Sequence, residues 1–272
     1  MPSDARPVDG RSPSRDHGVV DSRLPSIDEA HYRVAPTTVV ELGPVVGMWE
    51  ATGGDVSALR VDRLPISSTS LWSRPAVPDP LGVTLRLHFD VKAALGFEHA
   101  VISRYLIDVQ RRSRVGDVIG HHQVLRCVGP ERMTALGWGR SWTVDHVLID
   151  ADGQVLQTEA FTAVGYHPSM GVPRGARLPQ SGSDEAQWTI RSLSRAAAAC
   201  RVWSPVHHDP GAARRSGLPG VIACTQHLAA MLEQDALRNG NGTGVDRGRG
   251  RGGGATRLDL RMRRTLFATR AT

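Results

Sequence analysis

The residues of this sequence that are best suited to acid–base chemistry lie in one short stretch, SPVHHDPGAARRSGLPGVIACT, residues 204–225. It places two histidines, His207 and His208, between Ser204 and Asp209. An imidazole changes its protonation near neutral pH, so a histidine in such a polar setting is a candidate general base or acid. The stretch is therefore the first candidate for a catalytic site.

Prolines and glycines divide this stretch before a helix begins. Pro205 and Pro210 lack an amide hydrogen, which excludes one continuous helix. Apolar residues then recur at i, i+3 and i+4, which predicts a helix over 226–237 with Thr225 as its N-cap. The start of such a helix presents unpaired backbone N–H groups that stabilise a developing negative charge. The predicted apolar stripe of this helix consists of Leu228, Met231, Leu232 and Ala236.

The same stretch resembles the MaoC-like (R)-specific enoyl hydratases and 3-hydroxyacyl thioester dehydratases, a family with the hotdog fold. The family motif reads Asp or Asn, any residue, Asn, Pro, Ile or Val, His, any residue, Asp. A Gly-Pro-Gly approach to a central helix follows it. Pro205, Val206, His207 and Asp209 match the motif, and the string GLPGVIA at 217–223 resembles the approach.

The resemblance implies a role for each matching position. His207 would be the catalytic histidine, and Ser204, in the Asn position, would be a weak second catalytic group. The implied reaction is dehydration of a 3-hydroxyacyl thioester or hydration of an enoyl thioester, in fatty-acid or related acyl metabolism. The acyl group would be carried by coenzyme A or acyl carrier protein, with no further cofactor. The implied substrate-binding residues are Asp209, Gly220, Cys224 and Thr225.

The sequence departs from the family at the position of the catalytic acid, where Val202 stands. Loss of one member of an acid–base pair removes roughly 10²- to 10⁴-fold of the rate. Three interpretations stay open. In the first, another carboxylate takes the role of the acid; Asp55 is a candidate, although it also fits a simple turn cap. In the second, the activity is weak. In the third, the chain is a catalytically inactive hotdog subunit that binds an acyl thioester beside an active dehydratase partner.

Signals of other chemistries are weak. The sequence has no G-x-S-x-G nucleophile elbow, no Walker A motif and no dinucleotide glycine pattern in a strand–helix context. The adjacent pairs His121-His122 and His207-His208 would diverge on a strand, so no metal site is expected. The run RGRGRGGG at 247–254 is typical of a loop insertion; an RNA-associated role is the competing interpretation.

Alternating β-rich segments give the clearest structural signal. The string DADG at 150–153 predicts a hairpin turn, so residues 142–149 and 155–166 should pair antiparallel. Residues 45–49 and 188–204 are predicted as the opening strands of two hotdogs. The resemblance in this part of the chain is to FAS1-like dehydratases.

Glycines mark two further boundaries. Gly96 predicts the end of a helix around 91–95. Gly116 and Asp117 predict a turn between strands, in a segment that resembles a turn of the FAS1-like dehydratases.

Together these elements predict an α+β fold related to the double hotdog, with a complete N-terminal hotdog and an incomplete C-terminal one. The chain stops at Thr272, before the later strands of a second hotdog. The predicted organisation is a disordered tail at 1–27, an N-terminal FAS1-like hotdog at 28–168, a linker at 169–186 and a partial MaoC-like hotdog at 187–272. A Gly/Arg-rich insertion occupies 239–255.

Composition and charge indicate which partners and which cellular compartment to expect. The net charge is +6, and all but one of the 33 basic residues are arginine. Because the arginines are dispersed and only 5% of residues are aromatic, nucleic-acid binding is not indicated. The three cysteines lack disulfide or zinc spacing, and no secretory or membrane segment is visible, which predicts a cytoplasmic protein. The incomplete second hotdog predicts a homodimer or a heterodimer with another hotdog subunit.

Overall fold

The computed structural model describes residues 29–74, 76, 86–134, 136–167, 188–238 and 256–262. The predicted tail at 1–27, the linker at 169–186 and the insertion at 239–255 lie outside the described residues. The proposed boundary between the two halves therefore stays a prediction.

One antiparallel sheet of six strands forms the framework, in the order β1-β3-β4-β5-β2-β6. Opposite residues of antiparallel neighbours point to the same face of the sheet, so its register decides which side chains meet. The strands are β1 (Arg33–Val39), β2 (His99–Val109), β3 (Val118–Thr134), β4 (Gly137–Ile149), β5 (Val155–Tyr166) and β6 (Thr256–Arg261).

Within the described residues, five α-helices and a buried 3-10 segment lie with this sheet. The 3-10 segment (Ile66–Ser73) is buried along its whole length. The helices are α1 (Leu42–Ala51), α2 (Arg86–Ala94), α3 (Ile190–Ala199), α4 (Pro210–Arg215) and α5 (Thr225–Arg238). This mixture of helices with an antiparallel sheet confirms the predicted α+β class.

The predicted hairpin is confirmed. β4 and β5 pair antiparallel from Gly139 opposite Tyr166 to Ile149 opposite Val155. Gly153 has a φ of +76°, a left-handed conformation that glycine adopts without strain. Asp150 closes the turn, since its carboxylate accepts hydrogen bonds from the amides of residues 152 and 154 at 3.1 and 2.8 Å.

The predicted helix that ends at Gly96 is confirmed as α2, and Gly96 has a φ of +77°. The predicted turn at Gly116 and Asp117 is present as well. Gly116 has a φ of +93°, and the Asp117 carboxylate accepts a hydrogen bond from the Arg114 amide at 2.9 Å. Both turns depend on a residue that tolerates positive φ.

The two predicted opening strands are helices. Residues 45–49 lie in α1, where Val45, Met48 and Trp49 are buried at i, i+3 and i+4. Most of the predicted strand at 188–204 is α3, whose buried Leu193, Ala196 and Ala197 have the same spacing. A helical period and an alanine run with high helix propensity outweigh the local β-like composition.

The second half joins the sheet of the first half through β6. This strand pairs antiparallel with β2, from Arg104 opposite Arg261 to Val109 opposite Thr256. Among the described residues of the second half, β6 is the only strand longer than an isolated bridge. The described part of the second half thus contributes a strand to the same sheet as the first half.

The helix α5 exists as predicted, but it turns a different face inward. It begins at Thr225, so the preceding Cys224, and not Thr225, takes the N-cap position. Leu232 of the predicted buried stripe is 44% exposed. The buried face carries polar side chains, among them Gln226, Glu233 and Gln234. The spacing of apolar residues cannot show which face of a helix is buried when the buried side chains are polar and form hydrogen bonds.

Two side chains of the second half hold the ends of the 3-10 segment. At its start, the Glu233 carboxylate accepts hydrogen bonds from the amides of Ile66 and Ser67 at 2.9 and 3.1 Å. At its end, Arg201 donates to the carbonyl oxygens of Leu71 and Arg74 at 2.8 and 3.3 Å. The two halves are therefore joined by charge-assisted hydrogen bonds as well as by the sheet.

Candidate active site

A cavity of about 510 Å³ lies between the inner face of the sheet and the stretch around His207. Trp142, Phe161 and Ala163 form its wall on the sheet side. The inner ends of α2 and α5 and the loop after α3 close the remaining sides. Its volume is within the range of small-molecule sites.

His207 lines this cavity at the end of a 3-10 turn, Pro205–His207. Its Nδ1 lies 3.0 Å from the carbonyl oxygen of Ile222. A carbonyl oxygen only accepts, so Nδ1 carries the hydrogen and Nε2 keeps a free lone pair in the neutral ring. The second ring nitrogen is thereby set up as a proton acceptor.

Burial lowers the pKa of His207 to about 4, although the hydrogen bond to Ile222 acts in the opposite direction. The neighbouring His208 and the Arg74 guanidinium lower it further. The ring is therefore neutral at pH 7, which is the form that a general base needs.

His208 and Asp209, the next two residues, have structural contacts and do not line the cavity. His208 Nε2 lies 2.7 Å from the carbonyl oxygen of Val202. The Asp209 carboxylate caps α4 by accepting a hydrogen bond from the Gly211 amide at 2.7 Å. Asp209 therefore acts in this structure as a helix cap, a role that its position before Pro210 could have indicated.

Val202 and Ser204 both line the cavity, on the same loop as His207. Val202 is buried, with 9% of its surface exposed. Among the described residues of the wall, Glu98 is the only carboxylate, and its side chain is 81% exposed. The wall around His207 thus presents a histidine and a hydroxyl, without a buried acid beside them.

The start of α5 forms another part of the wall through Cys224 and Thr225. A hydrogen bond with Cys200 lowers the pKa of the Cys224 thiol, and the backbone amides of His227 and Gln226 also lower it, whereas burial raises it. The Thr225 hydroxyl donates to the side-chain oxygen of Gln226 at 3.0 Å. Cys224 therefore sits at the positive end of the helix dipole, facing the cavity.

Two other sequence candidates lie elsewhere. Gly220 is not part of the wall, and no atom comes within 4 Å of where its Cβ would be. Asp55 caps a short 3-10 turn, where its carboxylate accepts hydrogen bonds from the amide and hydroxyl of Ser57 at 2.9 and 2.7 Å. Asp55 is also outside the wall of the cavity, so the turn-cap interpretation is the one that the structure favours.

Two buried basic side chains lie on the wall, although no motif or spacing in the sequence predicts them there. Arg74 ends the 3-10 segment and is 6% exposed. His88 of α2 accepts a hydrogen bond from the indole nitrogen of Trp142 at 2.9 Å, and burial lowers its pKa to about 3. Both reach the cavity through tertiary packing, which spacing along the chain does not reveal.

Behind this wall, the inner face of the sheet carries a row of polar residues. Gln123, His146 and Glu159 lie opposite one another on β3, β4 and β5. His146 Nε2 is 2.9 Å from His121 Nδ1. Burial raises the pKa of Glu159 to about 7, against the charge of Arg74. The alternation of residues along a strand predicts which side chains lie on the same face of the sheet. It does not predict that polar side chains lie on the buried face.

The mouth of the cavity is more polar and more exposed. Phe89 is 46% exposed, and the Lys92 ammonium lies over its ring, 5.8 Å from the centroid. Arg215 lies on the same rim, with its side chain 74% exposed. Lys92 and Arg215 thus place two cationic side chains on this part of the wall.

Within the part of the chain that the structure describes, no cluster of three or more His, Cys, Asp or Glu residues has the arrangement of a metal site. In the same ranges, no helix combines the length and hydrophobicity that crossing a membrane requires.

No protein-family model matches the sequence, and no curated protein matches it. Solved structures do match. HtdX from Mycobacterium tuberculosis is 17% identical, with 87% of this chain and 85% of that chain covered and a TM-score of 0.54. A MaoC-like dehydratase is 17% identical, with 88% and 83% covered and a TM-score of 0.60.

A MaoC-like dehydratase from Phytophthora capsici is 9% identical, with 89% of this chain and 85% of that chain covered and a TM-score of 0.57. At these identities the likeness is one of architecture. The chain has the hotdog fold of the MaoC-like dehydratases.

Proposed function

We propose that this protein is an acyl-thioester hydratase or dehydratase that interconverts an enoyl and a 3-hydroxyacyl group. The observation that carries the proposal is a neutral histidine on the wall of a largely apolar cavity, close to the start of a helix. Hydration of an enoyl thioester needs these two features: a base for water and a positive region for the enolate oxygen.

The steps balance without a redox cofactor. His207 Nε2 takes a proton from a water molecule while the water oxygen bonds to the β-carbon of the enoyl group. The electron pair of the double bond moves toward the thioester oxygen, where the amino-terminal end of α5 at Cys224 and Thr225 stabilises the negative charge. The His207 imidazolium then returns its proton to the α-carbon, directly or through a second water molecule, which restores the neutral ring and completes the 3-hydroxyacyl product. Dehydration is the same sequence in reverse.

The rim supports a carrier with phosphate groups. Lys92 and Arg215 place two cations at the mouth of the cavity, and Phe89 offers an exposed ring between mouth and solvent. Coenzyme A and the phosphopantetheine arm of acyl carrier protein both bring phosphates to such a rim while the acyl group enters the cavity. Either carrier fits this chemistry.

A second candidate follows from Val202. With valine where a separate proton donor would stand, the wall beside His207 offers only the His207 imidazolium as a source of the α-carbon proton. The chain would then bind an acyl thioester without converting it, beside an active dehydratase subunit. The exposed Leu232 on α5 and the edge strand β6 offer surfaces for such a subunit.

A matched pair of histidine variants tests the main proposal. The purified protein is assayed with crotonyl-CoA and longer enoyl-CoAs, following loss of the conjugated thioester absorbance. We expect turnover by the wild type and by His208→Ala, and a loss of about 10²-fold or more in His207→Ala. His208 is the control because it is the neighbouring histidine and lies outside the cavity wall. Thermal melts check that both variants fold.

The outcomes separate the two candidates. Equal turnover in wild type and His207→Ala would remove His207 from catalysis. Binding of crotonyl-CoA by the wild type, with no turnover alone and turnover when a second hotdog subunit is added, would favour the non-catalytic role. Absence of both binding and turnover would contradict both candidates.

A further inference from the structure

Two of the three guanidinium nitrogens of Arg74 are buried without a hydrogen-bond partner among the described residues. Arg74 lines the cavity and is 6% exposed. The unpartnered atoms are Nε and Nη2. A desolvated guanidinium that leaves its donors unused costs folding free energy, so a cavity built this way favours a ligand that pairs with it.

Glu159 is the buried carboxylate whose ionisation Arg74 favours, and it neutralises this cation only in part. One of its oxygens accepts a hydrogen bond from Gln157 at 2.7 Å. Burial raises its pKa to about 7, so a substantial fraction of Glu159 is protonated at neutral pH. The nearby rings of His121 and His146 are neutral, since burial lowers both pKa values. Part of the positive charge of Arg74 is therefore uncompensated by its surroundings.

The backbone under Arg74 is firmly placed. Arg74 follows directly after the buried 3-10 segment, and its own carbonyl oxygen accepts a hydrogen bond from Arg201 at 3.3 Å. Glu233 holds the other end of that segment. A side chain whose backbone is fixed in this way is preorganised, so it loses less conformational entropy when a ligand binds.

We propose that Arg74 binds a carboxylate at the far end of the acyl group, so that the substrate is the thioester of a dicarboxylic acid. This inference rests on the proposed function and names its substrate class. A guanidinium offers two parallel N–H donors to a carboxylate, which gives both affinity and orientation. A hydrocarbon chain of the same length would leave Arg74 desolvated and unpaired.

Position distinguishes this carboxylate from the phosphates of the carrier. Lys92 and Arg215, at the rim, are the cations that a carrier phosphate meets first. Arg74 is 6% exposed, and it shares the cavity with His207, whose pKa its charge lowers. One short acyl chain can therefore present its β-carbon to His207 and its terminal group to Arg74.

The test compares acyl-CoA ligands that differ only in the terminal group. Binding of succinyl-, glutaryl- and adipyl-CoA is measured by calorimetry against butyryl-, valeryl- and hexanoyl-CoA, which have the same numbers of acyl carbons. We expect the wild type to prefer the carboxylated member of at least one pair by about 10- to 100-fold. Arg74→Met should lose that preference, and Arg74→Lys should keep part of it.

Arg132→Met is the matched control, since Arg132 is exposed on β3 and does not line the cavity. It should keep the wild-type preference, and thermal melts establish that each variant folds. Equal binding of both members of every pair by the wild type would overturn the role of Arg74 while leaving the thioester proposal intact. A preference that survives in Arg74→Met would do the same. If no acyl-CoA binds, the thioester proposal fails and this inference fails with it.

Discussion

His207 can act as a proton acceptor, but the residues beside it provide no second acid–base group. Its neutral ring can accept a proton, but Val202 offers no group that returns one. Ser204 has a hydroxyl with an ordinary high pKa, which makes it a slow acid. The missing acid, and not the histidine, should therefore set the rate.

Restoring the acid should raise the rate. In Val202→Asp combined with Ser204→Asn, we expect enoyl-CoA hydration to increase by roughly 10²- to 10⁴-fold over the wild type, because a carboxyl group then stands at the position where the MaoC-like motif has its acid. Initial rates with crotonyl-CoA measure this. Val206→Asp is the control, since Val206 also lines the cavity on the same loop. No increase, or an equal increase in the control, would show that another step limits turnover.

The sequence identifies His207 because the residues around it form a contiguous motif. It cannot identify Arg74 or His88 in the same way. Arg74 reaches the cavity from the end of a 3-10 segment, and His88 reaches it from α2, more than a hundred residues before His207. Asp209 shows the opposite error: it matches the motif, yet its carboxylate caps α4. A motif fixes residue types, while tertiary packing decides which of them face a ligand.

The helix α5 contacts the first half of the chain through a buried carboxylate, that of Glu233. Glu233 is 4% exposed and accepts hydrogen bonds from Ile66, from both the amide and hydroxyl of Ser67, and from Arg112 at 3.2 Å. All of these donors belong to the first half of the chain. Removing the carboxylate leaves them buried without an acceptor.

We expect Glu233→Ala to lower the free energy of unfolding by about 3–5 kcal/mol, because a buried, hydrogen-bonded charge is removed. Urea unfolding followed by circular dichroism measures it. Asp235→Ala is the control on the same helix: its ion pair with Arg238 is exposed and should be worth less than about 1 kcal/mol. Equal losses in the two variants would mean that the contact with the 3-10 segment is not what secures α5.

Local signals predicted the elements whose ends are marked by particular residues. The β4–β5 hairpin and α2 are correct because Gly153 and Gly96 occupy conformations that few other residues adopt. The segments that became α1 and α3 lack such markers, and a short apolar run fits a strand or a helix equally well. For α5 the buried face is polar, so hydrophobic spacing pointed to the exposed side.

For the molecule as a whole, buried histidines couple stability to pH. Burial lowers the pKa of His88 to about 3 and the pKa of His121 and His227 to about 4. In the unfolded chain each titrates near 6.5, so the unfolded state binds more protons between pH 4 and 6.5 and gains stability as pH falls. At pH 5 each such histidine should cost the folded state roughly 2 kcal/mol.

Glu159 acts in the opposite direction. Its folded pKa is raised to about 7, so its contribution is present at low pH and is lost as pH rises through 7. One carboxyl group does not offset several histidines, and we therefore expect the urea midpoint to fall markedly between pH 7 and pH 5. A midpoint that is unchanged or higher at pH 5 would mean that these rings are protonated in the folded protein.

Among the described residues, β6 is an edge strand of the sheet, and α5 carries two exposed apolar side chains, Leu232 and Leu237, which are 44% and 61% exposed. An open edge beside an exposed apolar helix favours a partner, either a second copy or another hotdog subunit. We expect light scattering to give a dimer at micromolar concentration, and Leu232→Glu with Leu237→Glu to give monomers. Val61→Glu, at an equally exposed valine in a turn, should stay dimeric. A wild-type monomer whose α5 amides resist hydrogen exchange would show that the chain covers its own core.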